Sequence, residues 1–162
     1  MTKFKAMAVC WRWLVTALLV AAVQAGAAQP TLEALLAAPA RLAVDGRPLA
    51  LEVNHWRDFM PISPPDGKPL MASIKLHTID GEALPDGLQI AQVWIVHGDQ
   101  VWAPATHEVR VGWESPATWE IVVRDGPKWA PGSQAVVVVD LEDGQGQLHR
   151  LKTPIQTIQR TA

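Results

Sequence analysis

The stretch that decides the fold is Gln89-Ile-Ala-Gln-Val-Trp-Ile-Val-His97, then Gly98-Asp99, then Gln100-Val-Trp-Ala-Pro-Ala-Thr106. Two apolar-rich segments flank a two-residue connection. Glycine at the first position of such a loop suits a type II′ turn, whose twist matches that of paired strands. The turn fixes a register: His97 opposite Gln100, Val96 opposite Val101, Ile95 opposite Trp102 and Trp94 opposite Ala103. Successive side chains on a strand point to opposite faces. Trp94, Val96, Val101 and Ala103 therefore share one wholly apolar face, which is expected to be the core. Ile95 and Trp102 are expected on the other face, partly exposed or covered.

Working outward, the same period of two recurs. Leu49, Leu51 and Val53 alternate with Ala50, Glu52 and Asn54, and Leu70, Ala72, Ile74 and Leu76 alternate with Met71, Ser73, Lys75 and His77. This is the mark of half-buried strands. Residues 118–124 place Trp119, Ile121 and Val123 inward. Val136-Val-Val-Val139 is apolar on both faces, as a central strand is. A further strand is expected at 41–44, before the Asp45-Gly46-Arg47-Pro48 turn, a weak one at 108–112, and a last one at 148–158, where Pro154 argues for a sheet edge. Asp-Gly and Pro-Asp-Gly clusters punctuate the intervals. Before all this, 29–38 is the one helical candidate, with Leu32, Leu35 and Leu36 on one face and Pro39 as its stop. Seven to nine short strands with turns every eight to twelve residues predict a single all-β sandwich over 41–162, preceded by a short helical lead-in over 29–40.

Composition and charge agree. The chain has 162 residues, 49% hydrophobic and 19% charged, which excludes a disordered chain and suits one domain. Lys3, Lys5 and Arg12 precede the apolar run Trp13–Val23, and Ala25-Gly26-Ala27 follows it. That order is an export signal, residues 1–28, expected to be cut after Ala27 or Ala28. The apolar run is short of the roughly 20 residues a membrane span needs, so no span is expected after processing. Cutting after Ala28 leaves 134 residues without cysteine, with 11 basic and 16 acidic side chains. A mildly acidic chain has no electrostatic reason to seek nucleic acid. A periplasmic or secreted protein is expected, stabilised by burial and not by disulfides.

The C-terminal third, Ala130-Pro-Gly-Ser-Gln-Ala-Val-Val-Val-Val-Asp-Leu-Glu-Asp-Gly-Gln-Gly146, resembles immunoglobulin-like and fibronectin type III-like modules at the level of pattern. It looks like a loop entering strand F, then a turn before strand G, with Trp94 in the role of the buried strand-C tryptophan. The sequence departs from the family in having no cysteine pair and no tyrosine. The resemblance implies a sandwich in which Arg57–Pro69, Gly98-Asp99 and Asp125–Gly132 gather at one pole. It implies no activity, since sandwiches host many functions.

Those three segments are chemically unusual for loops. Trp56, Arg57, Asp58, Phe59 and Met60 put large apolar groups beside an ion-pairing couple, and Ile62–Pro69 is stiffened by proline. Lys128 and Trp129 stand in the facing loop. One reading makes Trp56, Phe59, Met60 and Trp129 a buried plug with Arg57 and Asp58 solvated or paired on its rim. The other makes these residues, with Lys128, a preformed surface for a protein, peptide or glycan partner, because aromatic and arginine anchors in a rigid frame are what a binding hot spot uses. An alternative is copper held by His55, Met60 and His97, imidazole and thioether being suitable ligands. His77 and His149 would form a competing pair at the far pole. Trp102, Trp113 and Trp119 are candidate sugar-stacking faces away from the pole. No nucleophile elbow, zinc-protease or phosphate-loop motif occurs. The expectation is a non-catalytic binding or accessory module without a cofactor.

Overall fold

A computed structural model describes residues 28–112 and 115–162. Residues 1–27 of the expected export segment, and Trp113, lie outside the described residues. A five-residue helix α1 (Leu32–Leu36) leads into β1 (Arg41–Val44), β2 (Arg47–Asp58), β3 (Leu70–Thr78), β4 (Gln89–His97), β5 (Gln100–Trp102) and β6 (Glu108–Val111). The chain continues through β7 (Thr118–Gly126), β8 (Gln134–Glu142), β9 (Leu148–Lys152), β10 (Gln156–Thr157) and β11 (Gln159–Thr161). One sheet runs β1-β2-β3-β7-β6, with β11 added on the edge of β2; the other runs β10-β8-β4-β5, with β9 also on β8. The result is an antiparallel all-β sandwich, in which only β11 pairs in parallel, with β2.

The hairpin forms in the expected register, His97 with Gln100, Val96 with Val101 and Ile95 with Trp102. Gly98 has φ 60°, as a type II′ turn requires at its first loop position. The Trp94–Ala103 pair does not extend it, because β5 ends at Trp102, before Pro104, which has no N–H to donate.

The face assigned to the core is buried at Trp94 and Val96, but it is not the face that lies between the sheets. Val93 and Ile95 point between the sheets, where they meet Ile74, Leu76, Ile121, Val137, Val139, Leu141 and Leu151, and Trp102 packs against the same cluster. Trp94 and Val96 lie on the outer face with Val136 and Val138. That face is apolar because α1 covers it: Leu35 is fully buried there, with Leu32 and Ala38. The helix is too short to persist in isolation. Thr31 caps it by accepting from the Ala34 N–H at 3.2 Å, and docking of Leu35 supplies the rest. Val101, expected in the core, is 41% exposed beyond the reach of that roof.

The sheet assignments for 49–56, 70–77 and 118–124 hold, with Leu49, Leu51, Ala72, Ile74, Leu76, Ile121 and Val123 in the core. The described residues form eleven strands, not seven to nine. The excess comes from the last one, which Pro154 breaks after Lys152. Beyond it the chain pairs briefly with β8 as β10, buries Ile158 and crosses to β2 as β11. No helix among the described residues is long and apolar enough to cross a membrane.

Candidate functional site

Arg57 organises one end of the sandwich. It lies on the inward row of β2, and its side chain turns into the end of the core with 4% exposure. Nε donates to the Lys68 carbonyl at 2.9 Å, and one terminal nitrogen donates to the carbonyls of Lys128 at 3.1 Å and Trp129 at 3.2 Å. The other terminal nitrogen donates to the Asp66 carbonyl. A planar guanidinium suits this task, since its N–H groups fan out in fixed directions. The 57–69 and 125–132 segments expected at one pole meet there, and the 97–100 hairpin joins them through His97 and Gln100, which contact Trp129. The role expected of Arg57, on a rim, does not hold: it is the buried centre, satisfied by main-chain carbonyls.

The loop it holds, residues 59–69, is two consecutive turns. The Ser63 N–H donates to the Met60 carbonyl at 2.7 Å, and the Gly67 N–H donates to the Pro64 carbonyl at 2.8 Å. Pro61 and Pro65 occupy the second position of each turn, where their fixed φ is favoured. The Lys68 N–H donates to the Asp58 carbonyl at 2.8 Å and closes the loop. Asp58 Oδ1 accepts from the Met60 N–H at 2.9 Å, and Oδ2 pairs with Lys68 Nζ at 3.0 Å. These two interactions, the Met60 N–H first, hold the Asp58 carboxyl below its ordinary range. Gly67, at φ 75°, lies so close under the Phe59 ring that a Cβ there would meet the ring carbon at 2.5 Å.

Two cations flank Phe59, Arg57 at 5.0 Å and Arg160 of β11 at 4.0 Å from the ring centre. Across the pole, Lys128 Nζ pairs with Asp66 Oδ2 at 2.6 Å and depresses the Asp66 pKa. Trp129 packs partly on the core, donates Nε1–H to Gln100 Oε1, and sits 4.9 Å from the His97 ring. Among the expected plug residues only Trp129 packs against the main core. Trp56 is half-buried on the outer face of its sheet, paired across with Met71. Met60 points to water at 51% exposure.

The copper set does not present converging ligands. His55 is 1% exposed on the inward face of β2, with Nε2 on the Gln156 carbonyl at 3.0 Å. His97 spends Nδ1 on the Gln134 carbonyl at 2.9 Å, and Met60 stands on the exposed loop. Among the described residues no three His, Cys, Asp or Glu side chains are grouped to hold a metal ion. At the other end, His149 is engaged with Asp143 at 2.7 Å, while His77 lies on the outer face of β3. Trp102 and Trp119, offered as sugar-stacking faces, are partly buried against the core instead.

Sequence reasoning missed two members of the pole. Ile62 sits in the third position of the first turn and is 89% exposed, the most exposed large apolar side chain described. The signal was present: an isoleucine between Pro61 and Ser63 has nowhere to bury itself in a tight turn. Arg160 carried no such signal, because only the sheet switch after Pro154 brings it to Phe59. No protein-family model matches the chain, and no curated protein is significantly similar to it. The fold and the pole define the protein by class alone: an all-β sandwich with one stiffened, laterally clipped loop end.

Proposed function

We propose that this is an exported, non-catalytic binding module, periplasmic or secreted, which presents the Arg57 pole to a protein partner. The immunoglobulin-like reading is supported by strand order: β2-β3-β7-β6 follows the A-B-E-D path, and β9-β8-β4-β5 follows G-F-C with an added strand. One observation carries the binding reading. The main chain of the 59–69 loop is fixed by Arg57, Pro61, Pro65 and the Phe59–Gly67 contact, yet Met60 and Ile62 are left in water. A loop ordered in advance gives up little entropy when it docks. Burial of two such side chains is worth about 1.5–3 kcal/mol each. An exposed apolar tip rimmed by the Lys68–Asp58 and Lys128–Asp66 ion pairs and by Arg160 fits an apolar groove on a protein whose edges carry both signs of charge.

The test is a photo-reactive residue placed at position 62, with position 111 as control. Val111 is also apolar and exposed, at 66%, but lies on the edge strand β6 away from the tip. A discrete adduct is expected from position 62, competed by excess unmodified protein and not by a Met60→Asp/Ile62→Asp variant. Equal labelling from both positions, or competition by the variant, overturns the reading. Export is tested separately by sequencing the N-terminus of the protein recovered from cells, expected at Ala28 or Gln29.

A further inference from the structure

We propose that the C-terminal segment 155–161 is an acid-released clasp on the Arg57 pole, with buried His55 as its trigger. The proposal deepens the binding reading by giving the same site a regulator.

The segment is the sheet-switching strap described above; besides its two- and three-residue ladders with β8 and β2, it is held at four points. Gln156 gives its carbonyl to His55 Nε2. Ile158 is buried, donates its N–H to the Ser133 carbonyl at 2.8 Å, and accepts from the Gly132 N–H at 2.9 Å. Thr161 accepts from the Phe59 N–H at 2.7 Å. Arg160 lies over the Phe59 ring. Three of these points act directly on the loops of the pole. The remaining strap side chains, Ile155, Gln156, Thr157, Gln159, Arg160 and Thr161, are exposed, so beyond those two short ladders little else binds it. Segments with few buried contacts are those that open below the global unfolding energy.

His55 is the ionisable group at the first point. The Gln156 carbonyl can only accept, so Nε2 carries the proton and Nδ1 is a bare acceptor. Nδ1 is buried and has no partner. Protonation would put a second N–H and a full charge where nothing receives either. The inward side offers no counter-charge: the β3 partner of His55 is Ala72, and the core side chains of β8 and β9, Ala135, Val137 and Leu151 among them, are uncharged. The nearest charge on its own strand is buried Arg57, two residues on along the same row, which is also a cation. Arg41 of β1 and Arg160 of β11 are exposed and positive, and β10 carries no ionisable side chain. Burial accordingly pushes the His55 pKa below its ordinary value, with the Gln156 carbonyl opposing. The sign follows. The closed strap binds the proton less well than the open one, so it is fully favoured above the ordinary imidazole pKa and loses ground as pH falls through it. Opening lets water reach Nδ1 and removes Arg160 and Thr161 from Phe59.

Amide hydrogen exchange on the full chain tests this at about pH 7.5 and about pH 5, corrected for the intrinsic rate. Protection of the Phe59 and Ile158 amides should fall by about tenfold or more, while core amides such as those of Ile74 and Val138 keep theirs. His55→Gln retains a donor for the Gln156 carbonyl without titrating, so its strap should show no acid step. If that variant fails to fold, the imidazole resonances of the unaltered chain serve: His55 should titrate below the ordinary imidazole range and together with strap opening. Strap protection that tracks the core, a step that persists in His55→Gln, or strap opening uncoupled from His55 titration overturns the clasp. These readouts need no partner. A missing adduct at position 62 at either pH counts against the binding reading alone.

Discussion

The two ends of the sandwich close by opposite means. At the far end the turns are held largely by local side-chain caps, and no single side chain gathers them. Asp45 and Gly46, both at positive φ, make the two-residue turn between β1 and β2, the geometry that Asp-Gly favours. Asp80 Oδ1 accepts from the Glu82 N–H at 3.1 Å, and Asp143 Oδ1 accepts from the N–H groups of Gln145 and Gln147 at 2.9 Å. Each of these partners lies within four residues, although Thr78, Ile79 and Leu84 also donate main-chain N–H groups to the carbonyls of Ala117, Pro48 and Pro116. At the Arg57 end, one guanidinium reaches carbonyls 9, 11, 71 and 72 residues away in sequence. Both ends meet the same demand, to satisfy loop main chain. One spreads the task over many local bonds, and the other concentrates it in a single buried cation. Damage to the first should stay local, and damage to the second should not.

Arg57→Ala is therefore the largest effect expected. It leaves four carbonyls at the core's end without a donor and opens a void beside Phe59. A loss of about 3 kcal/mol or more is expected in urea unfolding of the full chain. Arg57→Lys should recover less than half, because one ammonium cannot serve carbonyls fanned around a planar fork. If the alanine variant loses under about 1 kcal/mol, the contrast between the ends is broken. Gly67→Ala comes next. It combines a positive φ with a Cβ that meets the Phe59 ring, and should cost about 1–3 kcal/mol. Gly46 and Gly81 have open space around the corresponding position, so alanine there meets the backbone penalty without the clash.

The same contrast governs what the sequence discloses. Local closure is legible: Gly98-Asp99 specifies its turn and hence three strand pairs, and the Asp-Gly turns announce themselves. Period-two burial is legible too, because one row of Leu49, Leu51 and Val53 is enough to orient a strand. Long-range closure is not. Nothing adjacent to Arg57 in sequence states that its partners are carbonyls near 66 and 128, so a lone arginine between Trp56 and Asp58 reads as a surface residue. The Trp94 face failed for a related reason. Alternation says that a face is buried, not what buries it, and a face apolar enough for the core was covered by Leu35 from the far end of the chain. Of the pole, the segments were legible and their chemical roles were not.

Asp143→Asn probes the local end, with an effect expected to be smaller and pH-dependent. The hydrogen bond from His149, then the Gln147 N–H, holds the Asp143 carboxyl below its ordinary pKa. The folded state thus favours the ionised form. Its contribution is complete above the carboxylate range and is lost as pH falls through that range. The melting-temperature gap between the unaltered chain and the variant should be widest near neutrality and should narrow below about pH 4. A constant gap would mean that the turn is held by shape and not by the carboxylate. No change should reach the Phe59 amide, since the two ends do not share partners.

Ile62→Asp is the smallest perturbation of the fold and the sharpest test of what the clipped end is for. Ile62 makes no core contact and is 89% exposed, so its replacement should shift unfolding by no more than about 0.5 kcal/mol. Its hydrogen-bonding frame, the Met60–Ser63 turn, is main chain and survives the change. Partner capture through the pole should nevertheless fall by tenfold or more, because an aspartate cannot be buried unpaired in an apolar groove. Val111→Asp gives the matched comparison, a similarly exposed apolar side chain on a free sheet edge. Equal stability with unequal capture would show that the arginine-clipped end carries recognition and the edge strand does not. Equal capture would reduce the stiffness of this loop to an architectural feature of the sandwich.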